Sequence, residues 1–227
     1  MKKVIWFVLG MVLIGWGAGY PAHAEEINRF GLGFRVSGMN IGTTNFDTGD
    51  MGDLDAKFDN KITYSLNFTW FLLKRFSMEI SMDDFTTDLE VSYDDNDGVL
   101  GEFTQRPILL SGRMHFRINE RNGNFFLGGG VGYYENEFDN RDTSIPHEFF
   151  GMNLSTDVKD SIGMHLCAGA EYYFTEHLAL NFDVKMILNQ AEFTFQSNPA
   201  SATSTERIRR DVSMNASFIG IGLKYYF

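Results

Sequence analysis

The last ten residues, Phe218 to Phe227, alternate without a break. Ile219, Ile221, Leu223, Tyr225 and Phe227 fall on one face, and Phe218, Gly220, Gly222, Lys224 and Tyr226 on the other. A period of two means a strand. The same pattern recurs along the chain with charges and glycines opposite the bulky aliphatic face. A soluble sheet buries its apolar face, whereas a transmembrane barrel strand turns that face to lipid and its polar face to the lumen. The expected fold is therefore all-β: an eight-stranded antiparallel up-and-down transmembrane β-barrel with short periplasmic turns and long extracellular loops. A soluble barrel of the lipocalin kind, apolar inside and polar outside, is the competing architecture.

The N-terminus reads as a leader. Lys2 and Lys3 precede an apolar run from Val4 to Gly17, and Ala22-His23-Ala24 supplies small residues at the two positions a signal peptidase reads. Residues 1–24 are expected to be a signal peptide cleaved after Ala24, leaving 25–227 as the barrel domain. No other segment approaches the ~18 uninterrupted apolar residues of a spanning helix. The formal net charge is −11, and removing a leader with two lysines and no acids makes it more negative. That excludes a basic nucleic-acid surface. One cysteine, Cys167, cannot form an internal disulfide. The 22 phenylalanines and nine tyrosines suit aromatic girdles at two membrane interfaces.

Eight strands are expected. The first runs from Ile27 to Ser37, with Phe30, Leu32, Phe34 and Val36 outward. The second is Ile62 to Trp70, with Tyr64, Leu66 and Phe68 outward. The third starts at Phe76, with Met78, Ile80 and Met82 on one face. The fourth spans Thr104 to Phe116, the fifth Phe125 to Asn136, the sixth Ser161 to Phe174, the seventh Leu178 to Asn189, and the eighth closes the chain. Short joins (Phe71–Arg75, Arg117–Asn124, Thr175–His177) alternate with long polar ones (Gly38–Asn60, Asp84–Phe103, Glu137–Asp160, Gln190–Asp211). An outer-membrane barrel has this asymmetry.

Three segments resemble the OmpW-like group of small eight-stranded outer-membrane proteins. Pro107-Ile108-Leu109-Leu110 leading to Met114-His115-Phe116 is similar to a proline-started fourth strand. Phe126-Leu127-Gly128-Gly129-Gly130-Val131-Gly132-Tyr133 is similar to a glycine- and tyrosine-rich fifth strand, and Ile219 to Phe227 to the closing strand. Met214-Asn215-Ala216-Ser217 stands where that family often carries an acidic residue, proline and tryptophan. The resemblance implies a location in the outer membrane of a Gram-negative bacterium. It also implies a narrow conduit or binding site for small hydrophobic molecules, with a sideways exit. Tyr225 and Phe227 look like the signal that barrel-assembly machinery reads, and equally suit a periplasmic aromatic girdle.

An eight-stranded barrel is only wide enough for its own side chains or one small ligand. Glu79, Arg113, Glu171 and Lys224 are expected near the periplasmic end, with Arg35, Asp183, Asp83 and Lys185 higher. Glu79 with Arg113, and Asp183 with Lys224, lie on neighbouring strands, which predicts an ion-paired plug. Higher still, Leu109, Tyr134, Ile187, Met214 and Phe218 point inward. Apolar groups at a water-accessible mouth predict a small ligand pocket, or simply a packed lumen. Pro107 cannot donate to the sheet ladder and marks a lateral gap, a strand start or a bulge.

Enzyme chemistry is not expected. No histidine has a serine two residues on, and His147-Glu148 lacks the second histidine of a zinc-protease motif. His165 and Cys167 share a face, but His115, the other lumen histidine, lies too far down to complete a metal site. No metal and no cofactor is expected. The acidic loops (Asp47, Asp50, Asp53, Asp55 and Asp59; Asp94-Asp95-Asn96-Asp97-Gly98) lack the closing glutamate of a calcium-binding loop. They are expected to be solvated. The expected partners are outer-membrane lipid and lipopolysaccharide, barrel-assembly machinery and a small apolar ligand, and no nucleic acid. The alternative function is a structural or surface-interaction barrel that binds through its loops and transports nothing.

Overall fold

The computed structural model describes residues 30–42, 44–47, 53–58, 60–93, 96–119, 123–140, 153–198 and 206–227. The leader, Ile27 to Arg29 and His147-Glu148 lie outside them. Among the described residues thirteen strands follow one another: β1 (Phe30–Ile41), β2 (Thr44–Asp47), β3 (Asp53–Phe58), β4 (Lys61–Leu73), β5 (Phe76–Tyr93), β6 (Asn96–Asn119), β7 (Gly123–Asp139), β8 (Asn153–Val158), β9 (Ser161–Tyr173), β10 (Leu178–Leu188), β11 (Gln190–Asn198), β12 (Glu206–Ser213) and β13 (Ala216–Tyr226).

Eight of them close an antiparallel barrel in the order β1-β4-β5-β6-β7-β9-β10-β13, and β13 returns to β1 from Gly31↔Tyr226 to Ile41↔Ala216. Closure leaves no edge to hydrogen-bond with lipid. The outward side chains are those the alternation selects. Leu66 is 65% exposed, Leu127 58% and Ile221 54%, while Ser65, Glu79 and Arg35 behind them are buried. In a soluble barrel this exposure would be an extended apolar liability. In lipid it is the spanning band. No helix among the described residues is long and apolar enough to cross a membrane.

The band ends in aromatics on the short-turn side. Phe30 stacks on Phe68, Trp70 and Phe227 at centroid separations of 5.9–6.2 Å, and Tyr225 stacks on His177 at 5.7 Å. Glycines let the wall close tightly: a Cβ at Gly222 would run into the carbonyl of Phe34, and one at Gly128 into that of Gly112. Beyond the mean radius set by strand number, such contacts fix how closely neighbouring strands can approach.

The long joins are a correction. The segment expected as a loop from Asp84 to Phe103 is mostly strand, because β5 and β6 stay paired to Tyr93↔Asn96. β3 adds to β5 through Asp55↔Ser92 to Phe58↔Leu89, with β2 paired outside it. The join after Leu188 folds as β11, flanked by β12 and β8 in a separate three-stranded sheet. The physical reason lies in a reversal of polarity. Above the band the inward residues are apolar (Phe85, Leu89, Phe103, Phe193, Val212), and the outward ones are Asp84, Thr86, Thr104, Arg106 and Glu137. The upper part of the barrel therefore has a soluble-type core, the pattern of the competing architecture, on top of a membrane-type section.

Candidate functional site

Three layers fill the lumen. The lowest is aromatic. Phe71 meets His115 at 4.8 Å and Tyr226 at 5.9 Å, and Tyr173 meets Tyr226 at 5.8 Å. The Tyr226 and Tyr173 hydroxyls both donate to Glu171, at 2.7 and 3.0 Å.

The middle layer is ionic. Glu79 is its centre: one carboxylate oxygen accepts from Arg35 at 3.1 Å, and the other from Arg113 (2.5 Å), Lys224 (3.0 Å) and the Thr69 hydroxyl (3.0 Å). Lys224 also bridges to Glu171 at 2.9 Å, Arg35 pairs with Asp183 at 2.5 Å, and Lys185 with Asp83 at 3.0 Å. All eight charges are buried. The structure thus brings Glu79, Arg113, Glu171, Asp183 and Lys224 into one network, but with different pairing. Asp183 and Lys224 do not bond to each other. The register puts Gly220 opposite Asp183 and Ala179 opposite Lys224, four residues apart, and at ~3.3 Å per residue that exceeds side-chain reach. Adjacent-strand reasoning missed the pairs that cross the lumen; Arg35 to Glu79 skips a whole strand.

The upper layer joins Leu109, Tyr134, Ile187, Met214 and Phe218 to Met39, Phe85, Phe103 and Phe193 in one apolar cluster. Their expected position at a water-accessible mouth is corrected. Each of the five is at most 2% exposed, because the strands above the band supply a lid that the sequence had suggested only as loops. Phe85 meets Phe218 at 6.1 Å and Phe103 meets Phe193 at 6.2 Å. The Tyr134 hydroxyl is buried here without a partner.

Pro107 faces inward beside this cluster, paired with Tyr134 on β7. On its other side the ladder breaks. Met82↔Ile108 and Phe85↔Gln105 share one register, but Asp83 and Asp84 make no pair with Pro107 and Arg106 between them. Proline has no N–H to donate, so one rung is lost at that level. The break is bordered outside by Arg106, 3.9 Å from Asp84 and 3.3 Å from Glu137.

His165 bonds Ser111 and His115 bonds Ser77, both at 2.8 Å. Cys167 is a buried free thiol. Among the described residues no three His, Cys, Asp or Glu converge on a metal position. Tyr225 and Phe227 point outward, about half exposed. The loop acids fall among side chains outside those described.

A family model, the outer membrane protein beta-barrel domain, matches residues 11–227. The chain belongs to this family. It is an outer-membrane protein barrel. No curated protein matches the sequence. Among solved structures, OprG of Pseudomonas aeruginosa is 19% identical over 89% of this chain and 100% of its own, with a TM-score of 0.72. The outer membrane protein AlkL is 20% identical over 93% and 96%, with a TM-score of 0.63. Neisserial surface protein A is 10% identical over 87% and 97%, with a TM-score of 0.52. At these identities the likeness is one of fold. It agrees with the small eight-stranded barrel read from the strands themselves.

Proposed function

We propose that this outer-membrane barrel binds small hydrophobic molecules in its upper lumen and passes them sideways through the wall where the upper section meets the apolar band. The observation that carries the reading is the coincidence of two features at one level, the apolar cluster around Leu109, Tyr134 and Phe218 and the broken β5–β6 ladder at Pro107. An apolar solute gains nothing by crossing the ionic layer below, since it would have to displace pairs that have no replacement there. The wall beside the cluster is the easier way out. The protein is placed in the outer membrane of a Gram-negative cell, delivered by the leader of residues 1–24, with Tyr225 and Phe227 read by assembly machinery. It works without cofactor or catalysis.

The test is uptake of an apolar dye or hydrocarbon by cells or proteoliposomes. Ile187→Asp places a carboxylate in the cluster; a variant that still folds is expected to lose uptake. Unchanged uptake by folded Ile187→Asp protein removes the reading.

A second reading, a barrel that binds surface partners, draws on the extra-membrane sheet of β8, β11 and β12 with Lys159, Arg209 and Arg210 exposed on and beside it. Lipopolysaccharide is the partner its position suggests. Deleting β11 and β12 while sparing uptake, with loss of a binding phenotype, favours this role.

A further inference from the structure

We infer that the upper apolar cluster, when it opens to a guest, prefers an apolar molecule bearing one neutral oxygen acceptor, such as a ketone or ester, over a plain hydrocarbon or a carboxylate. This rests on reading the upper lumen as the solute site and names the class of solute it takes.

The deciding group is the Tyr134 hydroxyl. Its residue is fully buried, and the oxygen has no hydrogen-bond partner. A buried O–H without an acceptor carries its full desolvation cost, and native interiors seldom leave one so. Its direction is known from Gly132, two residues nearer the periplasm on the same face. A Cβ there would meet the Tyr134 oxygen at 2.8 Å and clash with Leu109. The glycine thus leaves room for the ring to lie down the wall, with the hydroxyl toward the base of the apolar cluster rather than among its upper aromatics.

A second donor reaches the cluster from the ionic layer. Asp83, Pro107 and Tyr134 stand at one level on β5, β6 and β7 by register, and Asp83 holds Lys185 at 3.0 Å. The Lys185 ammonium lies 5.7 Å over the ring of Phe218, a member of the cluster. An ammonium has three N–H groups and no acceptor, and Asp83 occupies one of them. Tyr134 and Lys185 therefore bring donors to a cluster whose neighbouring side chains, Leu109, Ile187, Met39 and Phe218, are hydrocarbon.

Those donors set the polarity of the guest. An alkane leaves the hydroxyl unpartnered. A carboxylate finds donors, but it brings a fifth negative charge to a layer in which Arg35, Arg113, Lys185 and Lys224 already balance Glu79, Asp83, Glu171 and Asp183. It also stands beside Asp83. A carbonyl oxygen accepts from Tyr134 without disturbing the Lys185–Asp83 pair, while its chain fills the apolar walls.

The experiment measures saturable retention of octanone, octane and octanoate by full-length protein in lipid nanodiscs, relative to protein-free discs, for wild type and Tyr134→Phe. The expected result is octanone bound roughly three- to tenfold more tightly by wild type than by Tyr134→Phe, the worth of one hydrogen bond. Octane should bind equally to both, and octanoate more weakly than octanone. The variant should unfold at the same denaturant concentration as wild type or a higher one, since the hydroxyl loses no partner. Equal octanone binding by the two proteins overturns the inference while leaving the upper lumen standing as a solute site, and so does octanoate matching octanone. A variant less stable than wild type reveals a partner for the hydroxyl and also overturns it. Absence of saturable binding for all three solutes overturns the solute-site reading itself.

Discussion

The two halves of the lumen follow opposite rules. In the lower half the wall is apolar outside and charged inside; in the upper half it is polar outside and apolar inside. The strands are continuous through both, so the change comes from the medium. Lipid surrounds the lower section, and the charges inside it must satisfy one another. Water surrounds the upper section, which holds together as a soluble barrel does, by burying Phe85, Phe103, Phe193 and their neighbours. Occlusion is thus built in two ways in one tube. One is by ion pairs that resist water and small ions, the other by apolar packing that an apolar guest can replace.

The largest effect should come from the ionic half. Glu79→Ala leaves Arg35, Arg113 and Lys224 without their shared carboxylate, and removing one partner of a buried network costs about 3–5 kcal/mol. Denaturant unfolding in lipid vesicles measures this, and planar-bilayer recordings should show added ion current. A variant as stable and as silent as wild type would mean the network is not what seals the lower lumen.

Next comes the apolar half. Leu109→Ala removes a fully buried side chain and should cost about 2–5 kcal/mol. Here the loss should be partly recovered on adding an apolar solute, which fills the cavity; Glu79→Ala should show no such recovery. Equal behaviour of the two variants toward solute would erase the distinction between the halves.

Pro107→Ala supplies the missing N–H opposite Asp83. It should change stability by only about 0.5–1.5 kcal/mol, a hydrogen bond's worth. It should slow apolar uptake several-fold if the broken rung is the exit, and unchanged uptake would move the exit elsewhere. The smallest effect is expected at the rim. Arg106 pairs with Glu137 at 3.3 Å but is 38% exposed, so Arg106→Ala should cost under about 1 kcal/mol, measured in the same vesicles.

The membrane section was readable in the sequence because lipid imposes a strict period of two. Leu66, Leu127, Phe182 and Ile221 all stand where the alternation puts them. The upper section was not, because the same period continues with its polarity reversed: Phe85, Leu89 and Phe103 alternate with Asp84, Thr86, Asp88, Glu102 and Thr104, which looks like a polar loop to a reader searching for a lipid-facing stripe. The inward residues were identifiable by parity alone, and parity placed Leu109, Tyr134, Ile187, Met214 and Phe218 together. Parity says nothing of which charge meets which across the lumen. The Arg35–Asp183 and Arg35–Glu79 pairs depend on barrel curvature and stagger, and no local pattern encodes those. The Pro107 gap lay between: the missing donor is visible in the residue, the lost rung to Asp83 only in the register.

The reversal of polarity is tested most directly by spin labels at four outward positions, on a background with Cys167 replaced. Leu127 and Ile221 represent the lower section, Asp84 and Glu137 the upper. In lipid vesicles, labels at Leu127 and Ile221 should collide with membrane-dissolved oxygen and be shielded from an aqueous nickel complex, and labels at Asp84 and Glu137 should do the reverse. Nickel access at Leu127 and Ile221 equal to that at Glu137 would contradict the account, since the apolar band would then be facing water.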